Sequence, residues 1–204
     1  MPWAARISAL KADPTLAAPI LGTLKSDDSL YVRKSVANHL NDIAKDRPDW
    51  LLDHLAGWTG DDPRTVWIIR HALRTLIKKG GPRALALIGV GHGAQVEASF
   101  AIAPTIVRLG DSIALTAGLF STVPEPQRLV VDYRITYARA AGRTSAKVFK
   151  WKSFDLAAGD TANLALRQSI RDFSTRRHHP GRHDVELIVN GKTMASAAFE
   201  IVAG

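Results

Sequence analysis

Near residue 91 the apolar residues of this 204-residue chain change their period. Upstream they recur at the spacing of helices. Downstream they alternate as strands do, most clearly over Val130–Tyr137. A run of helices followed by a run of strands argues for two domains in sequence, α then β, because each needs its own partner layer. The glycine-rich stretch Val90–Ala94 reads as the joint between them.

The helical part, residues 1–90, carries an internal repeat. The segments Lys11–Pro14, Lys45–Pro48 and Lys79–Pro82 recur 34 residues apart, and Asp28 and Asp62, Val32 and Val66, Ile43 and Ile77, and Leu51 and Leu85 keep the same spacing. A proline stops one helix and suits the first turn of the next. A fixed period of this size is the mark of an α-solenoid. Only two and a half copies are present, and a solenoid needs at least about three. The expectation is therefore the C-terminal portion of a longer, N-terminally truncated solenoid. The alternative is a short domain capped by Pro2 and Trp3.

Residues 95–204 hold seven candidate strands, Gln95–Ala103, Ser112–Ser121, Gln127–Ala138, Ser145–Phe154, Asn163–Ser169, His183–Val189 and Ala195–Val202. About seven short strands in about 100 residues fit an antiparallel immunoglobulin-like sandwich. Asn190-Gly191 is the signature of a two-residue hairpin turn.

Composition narrows the chemistry. The chain has no cysteine, which excludes disulfides, thiolate nucleophiles and iron–sulfur clusters. No apolar run reaches the length of a membrane span, and the N-terminus lacks the apolar core of a secretory signal, so a cytoplasmic location with no membrane partner is expected. The net charge is +8, shared as +4 and +4 between the two parts. Such an excess suits a polyanionic partner or serves solubility alone. Walker, dinucleotide-binding, nucleophile-elbow and zinc-protease motifs are absent. No glutamate precedes Glu97. Any catalytic carboxylate of the helical part must be an aspartate, or lie on a segment outside this chain.

Two helices carry the candidates. On Ser29–Asp46 the stripe Val32, Val36, His39 and Ile43 reads as the core face, with Lys34, Asn38, Asn41 and Lys45 opposite. Asp42 sits on the border, one turn after Asn38. It reads as a catalytic carboxylate or as a capped surface group. His39 reads as a core histidine, with no second ligand at zinc spacing. On Pro63–Lys79 the core stripe is Val66, Ile69, Leu73, Leu76 and Ile77. Beside it run Trp67, His71, Arg74 and Lys78, with Arg70 on the other edge. Cations interleaved with an aromatic ring are a nucleic-acid pattern, or else a solvated basic face. Trp50 and Trp58 read as packing residues. In the sandwich, Arg167, Arg171, Arg176, Arg177, His178, His179, Arg182 and His183 read as one basic loop suited to phosphates. His179 and His183 offer only a weak metal pair, and no metal site is assigned.

Trp3 with Arg6, the stretch Tyr31–Asp46 with its Val-Ala-Asn-His-Leu-Asn-Asp core, and Trp67–Arg74 resemble the AlkC-type alkylpurine DNA glycosylases. These are HEAT-like repeat proteins of DNA alkylation repair, some with a C-terminal Ig-like domain. The resemblance runs through the whole chain in order. It implies hydrolysis of the N-glycosidic bond of N-alkylated, cationic bases of the 3-methyladenine type in double-stranded DNA, without a cofactor. It implies Trp3, Arg6, Asn38, Asp42, Trp67, Arg70 and His71 as site residues, Asp42 alone able to act as the acid. Lys34, Arg74, Lys78, Arg176 and Arg177 join them as expected DNA contacts, and a monomer is expected. The other two readings are a DNA-binding module without catalysis and a protein-interaction scaffold.

Overall fold

The computed structural model describes residues 9–10, 13–58, 62–91, 93–172 and 177–202. The chain forms two compact units, residues 1–89 and 90–204. The first holds helices and the second holds strands.

In the helical unit a 3-10 turn, Pro14–Ala17, leads into α1 (Ala18–Thr23). There follow α2 (Leu30–Asp46), α3 (Pro48–Ala56), α4 (Pro63–Ala72), α5 (Arg74–Lys78) and α6 (Pro82–Ala86). Each repeated proline stands where a new helical segment begins: Pro14, Pro48 and Pro82 all occupy the first positions of their elements. There the missing N–H is no loss. Equivalent repeat positions also meet in space. Thr75 Oγ1 donates to Asn41 Oδ1 at 2.8 Å, 34 residues away. Arg83 donates to Asp49 at 3.2 Å, again 34 residues away, and also pairs with Asp53. Arg64 pairs with Asp62, the N-cap of α4, and with Asp28, its counterpart one repeat earlier.

The core of this unit gathers Leu21, Val36, Leu40, Leu51, Leu55, Trp58, Ile68 and Leu73. It corrects the helical wheel drawn from sequence. On α2 the buried residues are Val36, Ala37, Leu40, Asn41, Ile43 and Ala44, so Asn41 is inside while Val32 and His39 are only half-buried. The helix packs against α3 and α4 together, which widens and rotates its buried arc. His39 is therefore not the core histidine expected.

The second correction concerns Pro63–Lys79. One helix was expected; two are found, α4 and α5, meeting at Leu73. Neither proline nor glycine stands there. Main-chain bonds still run through the junction, Leu73 N–H to the Ile69 carbonyl at 3.0 Å and Ile77 N–H to the Leu73 carbonyl at 2.9 Å, and Arg74 Nη1 donates to the His71 carbonyl at 2.5 Å.

Among the described residues the sandwich has eight strands: β1 (Val96–Ala103), β2 (Ile106–Arg108), β3 (Ser112–Ser121), β4 (Gln127–Ala138), β5 (Thr144–Leu156), β6 (Thr161–Ser169), β7 (Gly181–Val189) and β8 (Lys192–Val202). One sheet has the order β1-β3-β6 and the other β2-β8-β7-β4-β5. The strand beyond the expected seven is β2, three residues lying parallel to β8. Inward-facing Leu115, Leu119, Leu129, Val131, Ile135, Val185 and Leu187 are buried, and Val130, Asp132 and Ile188 on the other face of the larger sheet are buried too. Tyr133 brings its polar tip into this core and donates to Gln168 Oε1 at 2.7 Å. The Asn190-Gly191 turn has positive φ at both residues, 47° and 80°, as a type I′ turn requires. Asn190 does more than turn the chain. Its side chain accepts from Val130 N–H at 2.8 Å and donates to the Arg128 carbonyl at 3.1 Å, tying the hairpin tip to β4.

Candidate nucleic-acid interface

The faces of α2 and of α4–α5 that meet bring six of the expected residues together. Lys34, Asn38 and Asp42 stand one turn apart along α2. From the other side Arg74 Nη2 donates to Asn38 Oδ1 at 3.0 Å. The His71 ring stacks on Trp67, centroids 4.9 Å apart and planes within 8°. This follows from their i, i+4 spacing on α4.

Charge sets the protonation of this cluster. Asp42 is half-buried, and Lys45 Nζ lies 2.6 Å from its Oδ1. The hydrogen bond from Lys45 holds the carboxyl below its usual range, so it is ionised at neutral pH. The group that clasps Asp42 is thus a lysine one turn on, while the Asn38 oxygen is engaged with Arg74. His71 is pushed below its ordinary value by burial and by the Arg74 and Lys34 charges, and is neutral near pH 7. Burial also lowers Arg74, with the Asp42 charge opposing it. A carboxylate, an anchored guanidinium and a neutral aromatic pair share one surface.

Arg70 and Lys78 are exposed on α4 and α5. Trp3, Arg6 and Arg176 lie outside the described residues. Arg177 belongs to the sandwich unit, where its main-chain carbonyl accepts from Arg139 Nη1 at 3.3 Å.

The basic loop of the sandwich is less uniform than its sequence. His183 is 0% exposed: its Nδ1 accepts from Ala138 N–H at 3.3 Å, its Nε2 bonds the His179 carbonyl at 3.0 Å, and its ring stacks on Phe199. Burial holds it neutral. Both ring nitrogens are engaged by the main chain, so this histidine is not a surface ligand. The His178 side chain is 1% exposed and lies against Tyr137. Arg182 pairs with Asp184. Among the described residues, no group of three or more His, Asp and Glu is placed to hold a metal ion, and no helix is long and apolar enough to cross a membrane.

Sequence reading missed two features of the helical unit. One is the buried Asn41–Thr75 bond, whose signal was a pair of polar residues one repeat apart. The other is the column Trp50–His54–Trp58 on and after α3, with ring centroids 4.7 and 5.3 Å apart. Trp58 is buried and Trp50 packs on the core.

The family described as "Uncharacterised protein YhaZ, C-terminal Ig-like domain" matches residues 96–203. The chain is 38% identical over 202 residues to the uncharacterized protein YhaZ of Bacillus subtilis (strain 168), covering 98% of this chain and 56% of that one. It is similar to Pseudomonas fluorescens alkylpurine DNA glycosylase AlkC, solved bound to DNA containing an abasic site analog. The identity is 52% and the TM-score 0.94, over 99% of this chain and 56% of that one. The chain thus spans little more than half the length of each relative.

Proposed function

The chain belongs to the family of the YhaZ C-terminal Ig-like domain, and from that premise we propose that it is the C-terminal part of a DNA glycosylase that releases N-alkylated, cationic bases of the 3-methyladenine type. In this reading residues 1–90 are HEAT-like repeats of a longer solenoid, residues 95–204 are the Ig-like domain, and alkylated double-stranded DNA is the partner. The observation that carries it is the ionised Asp42 beside the Asn38–Arg74–His71–Trp67 cluster, in a chain 52% identical to an alkylpurine glycosylase seen with DNA.

The chemistry suits that cluster. An alkylated base carries positive charge and leaves readily. As its glycosidic bond breaks, positive charge develops on the sugar. A fixed carboxylate stabilises that charge, and neutral aromatic faces add to it. Water then attacks the sugar carbon and gives up its proton. The exposed cations Lys34, Arg70 and Lys78 hold the phosphates, with Trp3, Arg6, Arg176 and Arg177 as further contacts.

The test is base release from methylated duplex DNA, read by chromatography of the free bases. Release above the spontaneous rate is expected, falling about 100-fold or more in Asp42→Asn, the scale of losing one preorganised electrostatic group. Undiminished release in that variant removes Asp42 from the chemistry. Salt-dependent DNA binding with no release replaces the enzyme reading with that of a DNA-binding module.

A further inference from the structure

We infer that Arg74 is a positioning residue for the Asp42 site and not one of the phosphate contacts of the basic face. The inference rests on the glycosylase reading above and deepens it. By sequence Arg74 belongs with Arg70 and Lys78, as one more cation beside Trp67 and His71. The structure separates it from them. Its Nη1 donates to the His71 carbonyl at 2.5 Å and its Nη2 to Asn38 Oδ1 at 3.0 Å. One guanidinium is therefore anchored on two helices, and the bond to His71 lies where α4 gives way to α5. The side chain is half-buried, whereas Arg70 and Lys78 are exposed. A planar fork held at two points has lost the mobility with which a surface arginine follows a phosphate, and has become a fixed strut.

The strut has two effects at the site. It fixes the Asn38 side chain one turn before Asp42, which ties the α2 face that carries the carboxylate to α4. It also places a cation across the gap from Asp42. Lys45 bonds the carboxylate from its own helix, and the charges of Arg74 and Asp42 attract across the gap. Arg74 acts with Lys34 on His71 as well. Burial is the main reason the imidazole stacked on Trp67 stays uncharged, and the Arg74 charge adds to it, so that the ring does not repel a cationic base or sugar.

The experiment uses the full chain, with Arg74→Gln and Arg74→Lys as variants. The first readout is the NMR pH titration of the His71 ring and the Asp42 carboxyl, which requires no turnover. Both midpoints are expected to rise in Arg74→Gln. In Arg74→Lys, which keeps the charge and loses the fork, His71 is expected to stay low. The second readout is the salt dependence of binding to unmodified duplex DNA. Its slope is expected to hold in Arg74→Gln and to fall by about one in Lys78→Gln, as for loss of a phosphate contact. The third is base release. Both Arg74 variants are expected to lose about tenfold or more in kcat with KM within about twofold, the signature of a misplaced group. A slope lowered by about one in Arg74→Gln, or midpoints unmoved by it, overturns the inference. If the unaltered chain releases no base, the glycosylase reading fails by itself, and the titrations and salt slopes still decide what Arg74 does.

Discussion

The two units carry the same net charge and place their ion pairs differently. In the sandwich, arginines lie across hydrogen-bonded strands from carboxylates. Arg134 grips Glu186 with both ends of its fork, and Arg128 meets Asp155 at 2.7 Å. In the helical unit the ion pairs tie one repeat to the next, as Arg64 and Arg83 do, and Lys34, Arg70 and Lys78 stay exposed on a face that also holds Asp42. The contrast lies in what the pairs join, hydrogen-bonded strands in the sandwich and successive repeats in the helical unit, and in the company the exposed cations keep.

The widest test of the comparison is whether each unit depends on its own core. Leu40 and Leu115 are both fully buried, one in each unit. Each Leu→Ala change is expected to cost about 2–5 kcal/mol. By native-state hydrogen exchange, Leu40→Ala should lower protection in α2 and α4 and spare β4 and β7, with Leu115→Ala doing the reverse. Loss in both units from either change would break the comparison.

A smaller effect separates the two buried polar ties. Asn41→Ala leaves the Thr75 hydroxyl without its acceptor, and Asn190→Ala removes two bonds to β4. Each is expected to cost about 1–3 kcal/mol in urea denaturation. In Asn41→Leu with Thr75→Val the loss should largely vanish, because both partners become apolar. If the double variant is as unstable as the sum of the single ones, the bond is not what holds the repeats together.

Acid should sharpen the contrast further. Each unit encloses a histidine whose burial lowers its affinity for protons, His54 and His183. For a base depressed in the folded state, the unfolded chain binds more protons below its own value near 6.5. Stability is thus full above that pH and declines as pH falls through the window beneath it. The buried Nε2 of His54 has no hydrogen-bond partner among the described residues. His54→Leu is accordingly expected to weaken the acid sensitivity with little loss at pH 7. His183→Leu should weaken it too, but only with a loss at pH 7, since the Ala138 N–H is left unpaired. Denaturation midpoints at pH 7 and pH 5 read both. The smallest effect belongs to the exposed pair of Arg83 with Asp53, where Asp53→Ala should change stability by less than about 1 kcal/mol.

What could be read from the sequence was whatever local rules decide. Proline at first helical positions located the starts at Pro14, Pro48 and Pro82, and Asn190-Gly191 located its turn, because both follow from the φ of single residues. The alternation over Val130–Tyr137 located β4. The misreadings share a different cause. No proline or glycine marks the junction at Leu73, and β2 is too short to show alternation. The burial of Asn41 depends on a hydroxyl 34 residues away. His183 looked like one more member of a basic run, and only its neighbours Phe199 and Tyr137 make it an inner residue. At the site, the residue types on α2 and α4 were legible, and so was their side of the helix to within a turn. Which of them touch was not, since Asn38 and Arg74 are 36 residues apart.

The strand order of the larger sheet bears on how the chain leaves the ribosome. β7 lies in the middle of that sheet, between β4 and β8, yet it is translated after every strand except β8. Until it emerges, β4 can pair only with β5, and its other side presents unpaired main-chain groups of the kind that template aggregation. A premature stop after Ser169 would not trim the sheet at its rim. It would remove the centre, leave β4–β5 and β2 with nothing between them, and deprive Val130 and Arg128 of the Asn190 side chain that closes them off.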